Sequence, residues 1–213
     1  MLSFTIVFLS VITGIIAQQK VQIIPETHPP LSWQNCTSPS ECTTQQGYVT
    51  LDANWRWLHS VQNTVDCYDG TEWNDQYCAD PTVCAINCGL DGADYANTFG
   101  IRTNGNTLNL TFETGPNVGS RVYLMDTADS NYQLFNLLNQ EFSFDVNPSR
   151  VPCGVNGALY FVDMYADGGS SRYPNNRAGA KYGTGYCDAR CPHDVMFING
   201  QVSSLLSFMN QVA

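Results

Sequence analysis

Residues 101–113, IRTNGNTLNLTFE, contain two runs of alternating apolar and polar residues on either side of the pair Asn104-Gly105. Alternation at period two is typical of a half-buried β-strand, because successive side chains of a strand point to opposite faces. Asn-Gly between two such runs is a strong signal for a two-residue hairpin turn. The stretch therefore predicts a β-hairpin.

The same alternation recurs along the chain, with Gly, Asn and Pro between the runs. The segment NYQLFNLLN (131–139) is ambiguous, since its apolar residues fit a short helix or a buried strand. Many short strands separated by turn residues favour an all-β sandwich. Besides 107–113, the predicted strands are GYVTLD (47–52), SRVYLM (120–125), EFSFDV (141–146) and ALYFVDM (158–164).

The first 17 residues, MLSFTIVFLSVITGIIA, are apolar and uncharged and end in a small residue before Gln18-Gln19. This is the length of a signal-peptide core and too short to cross a bilayer comfortably, although no Lys or Arg precedes it. We expect a signal peptide over residues 1–17, a secreted extracellular product and no membrane partner. A short buried first strand is the alternative.

The chain has 213 residues, with 19 acidic and nine basic side chains and a formal net charge of −10. An acidic surface repels phosphate backbones, so nucleic acid is not expected as a partner. Only 13% of the residues are charged, while Tyr, Trp, Asn, Gly and Thr are plentiful. This composition suits a secreted protein that handles a neutral polar ligand such as a sugar, although solubility alone would explain it.

Nine cysteines in a secreted chain predict disulfides, and the odd number leaves at least one without an internal partner. The spacing Cys187-x3-Cys191-x-His193 could bind zinc. The signal peptide favours bridges instead, and we expect no metal and no cofactor. Asn35 and Asn109 begin N-x-S/T sequons, which predicts glycosylation at both.

Local catalytic motifs are absent from the sequence. Glycoside hydrolysis needs two carboxylates about 5–9.5 Å apart, but the best local pair, Glu141 and Asp145, would stand about 13 Å apart on a strand. We interpret these two as solvent-facing strand residues. No nucleophile-elbow, zinc-protease or phosphate-binding motif occurs. His28, His59 and His193 have no motif around them, and surface or loop roles are expected.

The aromatic residues are more informative. The run Asn54-Trp55-Arg56-Trp57 places two indoles at i and i+2, hence on one face if the chain is extended. Two rings about 6.5 Å apart along a strand can stack on successive faces of a sugar chain. A hydrophobic core would use the same aromatics. Polar-tipped aromatic surface could also come from Tyr68, Trp73, Tyr160, Tyr173, Tyr182 and Tyr186.

Several long motifs of the sequence resemble glycoside hydrolase family 7, nearly unbroken from Glu26 to Gln201. The resemblance divides the chain into a signal peptide (1–17), the N-terminal part of the family's catalytic domain (18–201) and a non-family tail (202–213). The motifs are ETHPPLSWQNC (26–36), LDANWRWLH (51–59), NCGLDGADY (87–95), NVGSRVYLM (117–125), EFSFDV (141–146), PCGVNGALYFVDM (152–164), DGGSSRYPNNRAGAKYGTGYCDARCP (167–192) and FINGQ (197–201).

This resemblance implies a concanavalin-like β-jelly-roll sandwich with a cleft or tunnel over its concave sheet, here incomplete and amounting to about the N-terminal half. It implies retaining hydrolysis of β-1,4-glucosidic bonds, a cellulose or other β-1,4-glucan chain as partner, and a monomer. The segments AGAKYGTGYCD and CYDGTEW are more similar to cellobiohydrolases, which release cellobiose, than to endoglucanases.

The resemblance also implies a set of substrate-binding residues. Trp57 corresponds to the stacking residue at the tunnel entrance, and Trp55 to a second platform further in. Met196 replaces a lysine of some relatives. Other positions that match the glucan path are Arg121, Tyr160, Tyr186 and Asp188, with Asn54, Asn117 and Asn156 as weaker candidates.

The catalytic carboxylates of the family are not found in the 213 residues. Its E-x-D-x-x-E segment follows FINGQ by some tens of residues, and no such motif occurs in this chain. We therefore expect no catalytic residue in the chain and no activity from the chain alone. The rival interpretations are a family 7 endoglucanase, a non-catalytic glucan-binding fragment that keeps Trp55 and Trp57, and a partial or unspliced transcript.

The resemblance also predicts how the cysteines pair. It implies the bridges Cys36–Cys42, Cys67–Cys88 and Cys78–Cys84. It leaves Cys153, Cys187 and Cys191 unpaired, because the corresponding family cysteines bond to partners further along the chain.

Overall fold

The computed structural model of the chain describes residues 18–173 and 175–187 in full, and the backbone of 197–198 and 201–202. Short strands dominate these ranges, which confirms the predicted all-β class. No helix among the described residues is long and apolar enough to cross a membrane. The strands are β1 (Gln19–Lys20), β2 (Trp33–Ser38), β3 (Glu41–Gln45), β4 (Tyr48–Leu51), β5 (Leu58–Ser60), β6 (Cys88–Leu90), β7 (Ile101–Asn104), β8 (Thr107–Leu110), β9 (Glu113–Thr114), β10 (Asn117–Val118), β11 (Val122–Met125), β12 (Phe197–Ile198) and β13 (Gln201–Val202).

Helical structure is confined to short pieces. The helix α1 (Pro81–Asn87) begins after Asp80, whose carboxylate accepts hydrogen bonds from the backbone N–H groups of Thr82 and Val83. Such a side-chain cap satisfies N–H groups that have no partner inside the helix. Two 3-10 turns, Ala53–Trp55 and Ala180–Tyr182, lie beside the site described below.

The predicted hairpin over residues 101–113 is present, with its turn displaced by one residue. Asn104 pairs with Thr107, so the two loop residues are Gly105 and Asn106 rather than Asn104 and Gly105. Gly105 has a φ of 59°, a left-handed conformation that glycine adopts without a steric penalty. The glycine therefore takes the first loop position, and the asparagine before it ends the strand.

Two of the other predicted strands form a partly buried ladder. β4 and β11 pair antiparallel, with Leu51 opposite Val122 and Tyr48 opposite Met125. Leu51 and Met125 are fully buried. A second, three-stranded sheet joins β1, β6 and β5 and buries Leu58 and Leu90. The two sheets supply part of the apolar core, and the other buried side chains come from loops, α1 and β7.

Disulfides tie the N-terminal part of the chain. The structure contains the bridges Cys36–Cys42, Cys67–Cys88 and Cys78–Cys84, and Cys153 is free and exposed. The Cys78 sulfur lies 3.5 Å from that of Cys88, so two bridges pack against each other.

The prediction that Cys187 is unpaired is wrong, because this residue is disulfide-bonded. That prediction placed its partner further along a longer chain, whereas the 213 residues already provide one. The predictions for Asp188, Cys191, His193 and Met196 fall outside the described residues.

Residues 134–165 contain no helix or strand, so the predicted strands at 141–146 and 158–164 are wrong. Neither predicted alternative for 131–139 is present either. Apolar side chains in this exposed segment face solvent, with Val146 70% and Leu159 53% exposed. The physical reason is the lack of a neighbour: a strand is stable only when its backbone groups pair, and no described strand lies beside these residues.

The chain enters and leaves the exposed segment at one place. The backbone N–H of Tyr132 donates to the Ala166 carbonyl at 2.7 Å, and the Tyr132 hydroxyl donates to the Thr184 carbonyl at 2.7 Å. Residues 166–187 then fold back against β4. A Cβ at Gly183, where φ is 71°, would lie 2.0 Å from the Leu51 carbonyl oxygen. Glycine at 183 thus permits the close approach that brings Tyr186 beside the end of β4.

Candidate functional site

The two tryptophans of the NWRW run lie in different surroundings. The Asp52 carboxylate accepts from the Asn54 N–H at 2.7 Å, and the Arg56 N–H donates to the Ala53 carbonyl at 3.2 Å. These bonds close the 3-10 turn Ala53–Trp55, so the extended conformation predicted for the run is wrong. Trp55 packs against the core that contains Val49 and Leu51. The indole of Trp57 lies on His59 instead.

Arg121 lies between two aromatic rings. Its guanidinium carbon is 3.7 Å from the centroid of the Tyr186 ring and 5.3 Å from that of the Trp55 ring. Its Nε donates to the Asp52 carboxylate at 2.8 Å. Burial would lower the pKa of Arg121, but the Asp52 charge raises it above its ordinary value, so the side chain stays cationic.

Asp52 organises this group, and the sequence analysis did not single it out. Its nearly buried carboxylate accepts from the Asn54 backbone, from Arg121 and from the Tyr123 hydroxyl. Burial, reinforced by the Asp52 charge, raises the pKa of Tyr123, so the phenol remains a donor. The only sequence signal was local, since an Asp after a strand and before a turn is a common capping pattern.

Tyr160 reaches the same group from the exposed segment. Its hydroxyl lies 3.5 Å from the Tyr186 hydroxyl, and about half of the residue is exposed. Tyr186 is buried, between Arg121 and Tyr123. The structure thus brings together four of the predicted substrate-binding residues: Trp55, Arg121, Tyr160 and Tyr186.

A crevice of about 10 Å³ opens next to these side chains, lined in part by Asp52, Asn54 and Tyr186. A volume of this size holds about one water molecule. Of the weaker candidates, Asn117 turns its amide back to the Gly119 carbonyl, and Asn156 is exposed. The crevice therefore borders this group of side chains at Asp52, Asn54 and Tyr186.

Glu141 and Asp145 are exposed, as expected, but they do not lie on a strand. The Glu141 carboxylate accepts from Ser143 two residues away. Nothing among the described residues places a second carboxylate opposite either of them for acid–base chemistry.

A buried charge cluster supports the site from behind. Arg56 donates to both carboxylate oxygens of Glu26, at 2.7 and 3.0 Å, and Tyr95 donates to Glu26 at 2.6 Å. His28 lies between Glu26, at 3.0 Å, and Asp129, at 2.5 Å. His28 lies in a loop, which its predicted surface or loop role allowed, but it is buried rather than at the surface.

Opposing effects set the pKa values in this cluster. Burial would raise the pKa of Glu26, but hydrogen bonds from His28 and Arg56 outweigh it and lower the value to about 2. Burial would lower the pKa of His28, but the Glu26 carboxylate outweighs it and raises the value above normal. All these groups are satisfied by one another, so the cluster stabilises the fold rather than offering reactive groups.

The chain matches known proteins along most of its length. The sequence profile of "Glycosyl hydrolase family 7" matches residues 20–208, which runs past Gln201. A family 7 cellobiohydrolase from Daphnia pulex is 46% identical, with a TM-score of 0.83 over 86% of this chain and 43% of that protein. A cellobiohydrolase from Melanocarpus albomyces, solved with cellotetraose, is also 46% identical, with a TM-score of 0.77 over the same shares.

An endocellulase from Humicola insolens is more distant, at 35% identity and a TM-score of 0.73 over 86% of this chain and 46% of that protein. The chain therefore spans less than half the length of the solved relatives it matches. The family's β-jelly-roll is the fold of which these strands form a part. The profile match and the shared fold place this chain in glycoside hydrolase family 7.

Proposed function

We propose that this chain is the N-terminal part of a secreted cellobiohydrolase and forms one wall of its cleft for a β-1,4-glucan. The observation that carries the proposal is the Arg121 guanidinium held between Trp55 and Tyr186 by the Asp52 carboxylate. A fixed cationic donor beside the half-exposed phenol of Tyr160 suits a ligand that is neutral and rich in hydroxyl groups.

Arg121 can supply hydrogen bonds to such a ligand. Among the described residues only its Nε has a hydrogen-bond acceptor, the Asp52 carboxylate, so its two terminal nitrogens can donate to sugar hydroxyls. Tyr160 and Tyr186 add two phenol groups within 3.5 Å of each other. Because Asp52 fixes the guanidinium before binding, little side-chain entropy is lost when a sugar arrives.

The reaction of the whole protein would be hydrolysis with retention through a covalent glycosyl-enzyme. Two carboxylates must flank the bond that is broken, one as nucleophile and one as acid and then base. The 213 residues contain no E-x-D-x-x-E motif. The chain by itself can therefore bind the glucan but lacks the carboxylates that react with it, and we expect it to be inactive.

The degree of identity supports the cellobiohydrolase subtype over the endoglucanase. The two cellobiohydrolases are 46% identical to this chain, whereas the endoglucanases that it matches are 35–40% identical. One of these cellobiohydrolases was solved with cellotetraose, which is a β-1,4-glucan fragment. The exposed positions of Asn35 and Asn109 fit glycosylation of a secreted product.

Binding and turnover of the purified chain test the proposal. We expect affinity for cello-oligosaccharides, a roughly tenfold or larger loss with Arg121→Ala because a charged donor is removed, and a smaller loss with the surface variant Tyr160→Ala. Arg102→Ala, on the exposed face of β7, is the matched control and should bind normally. Equal binding by Arg121→Ala and the native chain would contradict the binding wall, and hydrolysis of an aryl cellobioside would contradict the inactivity.

A non-catalytic glucan-binding fragment is the second candidate, favoured by the compact group around Arg121. Reading the transcript past residue 213 distinguishes the two. A downstream E-x-D-x-x-E segment in frame supports the cellobiohydrolase, and a stop codon in every full-length transcript supports the fragment.

A further inference from the structure

The described residues contain two Asn-Gly pairs, Asn104-Gly105 and Asn156-Gly157, and both asparagines are exposed. In such a pair the backbone nitrogen of the glycine can attack the side-chain amide of the asparagine, because glycine has no Cβ to hinder the approach. The attack requires the nitrogen to reach the asparagine Cγ in the correct orientation. The freedom of the backbone at each pair therefore decides how fast that pair reacts.

The hairpin restrains the first pair on both sides. Asn104 is the last residue of β7 and pairs with Thr107 of β8. The Gly105 carbonyl accepts a hydrogen bond from the Ser32 N–H at 3.0 Å. Bringing the Gly105 nitrogen onto the Asn104 side chain requires rotation of the peptide between them. That rotation would break the bond from Ser32 and disturb the end of the ladder, so the hairpin protects Asn104.

The second pair has none of these restraints. Asn156 and Gly157 lie in the exposed segment, outside every described helix and strand. The Gly157 N–H makes no hydrogen bond among the described residues, and neither does the Asn156 side chain. The nearest turn bond before the pair runs from the Val155 N–H to the Pro152 carbonyl at 3.2 Å. The peptide between Asn156 and Gly157 can therefore rotate without breaking a backbone bond.

We propose that Asn156 is a site of spontaneous deamidation in this protein. Hydroxide removes the amide proton of Gly157, and the nitrogen forms a bond to the Asn156 Cγ. The bond between Cγ and Nδ2 breaks, ammonia leaves, and a cyclic imide remains. Water then opens the imide at either carbonyl, which gives aspartate or isoaspartate at position 156.

The modification changes both the charge and the path of the chain. Either product adds a negative charge to a protein whose formal net charge is already −10. Isoaspartate also lengthens the main chain by one carbon, four residues before Tyr160. Deamidation at this position does not depend on the proposed function.

Peptide mapping by mass spectrometry tests the proposal on the native chain kept in mildly alkaline buffer. We expect Asn156 to be converted roughly three- to tenfold faster than Asn104, the factor for one backbone hydrogen bond that must open first. Both aspartate and isoaspartate should appear at position 156, since the imide opens in two ways. No conversion of Asn156, conversion of Asn104 at an equal or higher rate, or aspartate without isoaspartate would overturn the proposal. The pair Asn199-Gly200 lies outside the described residues and is mapped separately.

Two controls separate the structural cause from the local sequence. In urea, which opens the hairpin, the rates at Asn104 and Asn156 should become similar. A difference that persists in urea would come from flanking residues and overturn the role of the hairpin.

The second control is Gly157→Ala, which should slow the conversion of Asn156 severalfold because the methyl group hinders the attacking nitrogen. This variant fits the fold, since a Cβ at position 157 would meet no atom within 4 Å and the φ of Gly157 is not in the left-handed region. Unchanged conversion in Gly157→Ala would overturn the imide route.

Discussion

The paired strands β4 and β11 and the exposed segment 134–165 have similar sequence patterns but different structures. GYVTLD and SRVYLM alternate apolar and polar residues and form an antiparallel ladder whose core-facing side chains are buried. EFSFDV and ALYFVDM alternate in the same way, yet they lie outside every described strand and expose Phe144 and Leu159.

The difference shows that alternation of apolar and polar residues determines which side chains would share a face, but does not by itself produce a strand. A strand also needs a neighbour for its backbone groups and a layer to cover its apolar side. β4 has β11 as a neighbour and the turn at Gly183 as part of its cover. In the exposed segment Phe135, Phe142 and Phe161 contact one another edge to face, with centroids 5.0–6.0 Å apart. The Trp33 ring of β2 packs on Phe135, but Phe142 and Phe161 stay exposed.

Replacing one arginine that bonds to β4 and one in the exposed segment should give the largest contrast. Arg56→Ala leaves the Glu26 carboxylate buried without its cation and should lower the free energy of unfolding by about 3–5 kcal/mol. Arg150→Ala, in the exposed segment, should change it by about 0.5 kcal/mol or less. Urea unfolding followed by circular dichroism measures both. Similar losses in the two variants would mean that the exposed segment is as tightly packed as the charge cluster.

A pair of leucines makes the same comparison for apolar packing. Leu51 is fully buried, so Leu51→Ala should cost about 2–5 kcal/mol through lost contacts and a cavity. Leu138 is 77% exposed, so Leu138→Ala should change stability by about 0.5 kcal/mol or less. A large loss of stability in Leu138→Ala would show that residues outside the described ranges cover the Leu138 side chain.

The charge cluster also predicts how stability depends on pH. The pKa of Glu26 is lowered from its ordinary 4.5 to about 2, so its contribution of up to about 3 kcal/mol is present above pH 4.5 and lost as pH falls towards 2. The pKa of His28 is raised from 6.5, so its contribution is complete below pH 6.5 and lost as pH rises through the raised value.

Unfolding curves across this pH range measure both losses. His28→Gln should abolish the loss on the alkaline side. Glu141→Gln, an exposed replacement in the other region, should leave the curve unchanged. An alkaline loss that persists in His28→Gln would assign it to another group.

The parts of the fold that depend on neighbours close along the chain are predictable from the sequence. The hairpin at 101–113 and the strands β4 and β11 are examples, because turn residues and alternation are local signals. The role of Asp52 was missed, since its partner Arg121 is 69 residues away. The sequence predicts surface or loop roles for His28 and His59, and it misses their burial for the same reason: only the tertiary structure brings Asp129 to one and Asp91 to the other.

The single closure at Tyr132 and Ala166 has a consequence for the topology of the chain. Because the backbone bond between these residues joins the two ends of the exposed segment, residues 134–165 form a closed excursion that leaves the packed body and returns to the same point. A turn about one eighth as long could join these ends. Shortening the loop to that length lowers the entropic cost of closing it by roughly 2 kcal/mol. The excursion is thus a site where the chain could be shortened, or circularly permuted, while β4, β11, Arg121 and Tyr186 keep their connection and only Tyr160 is lost from the group around Arg121.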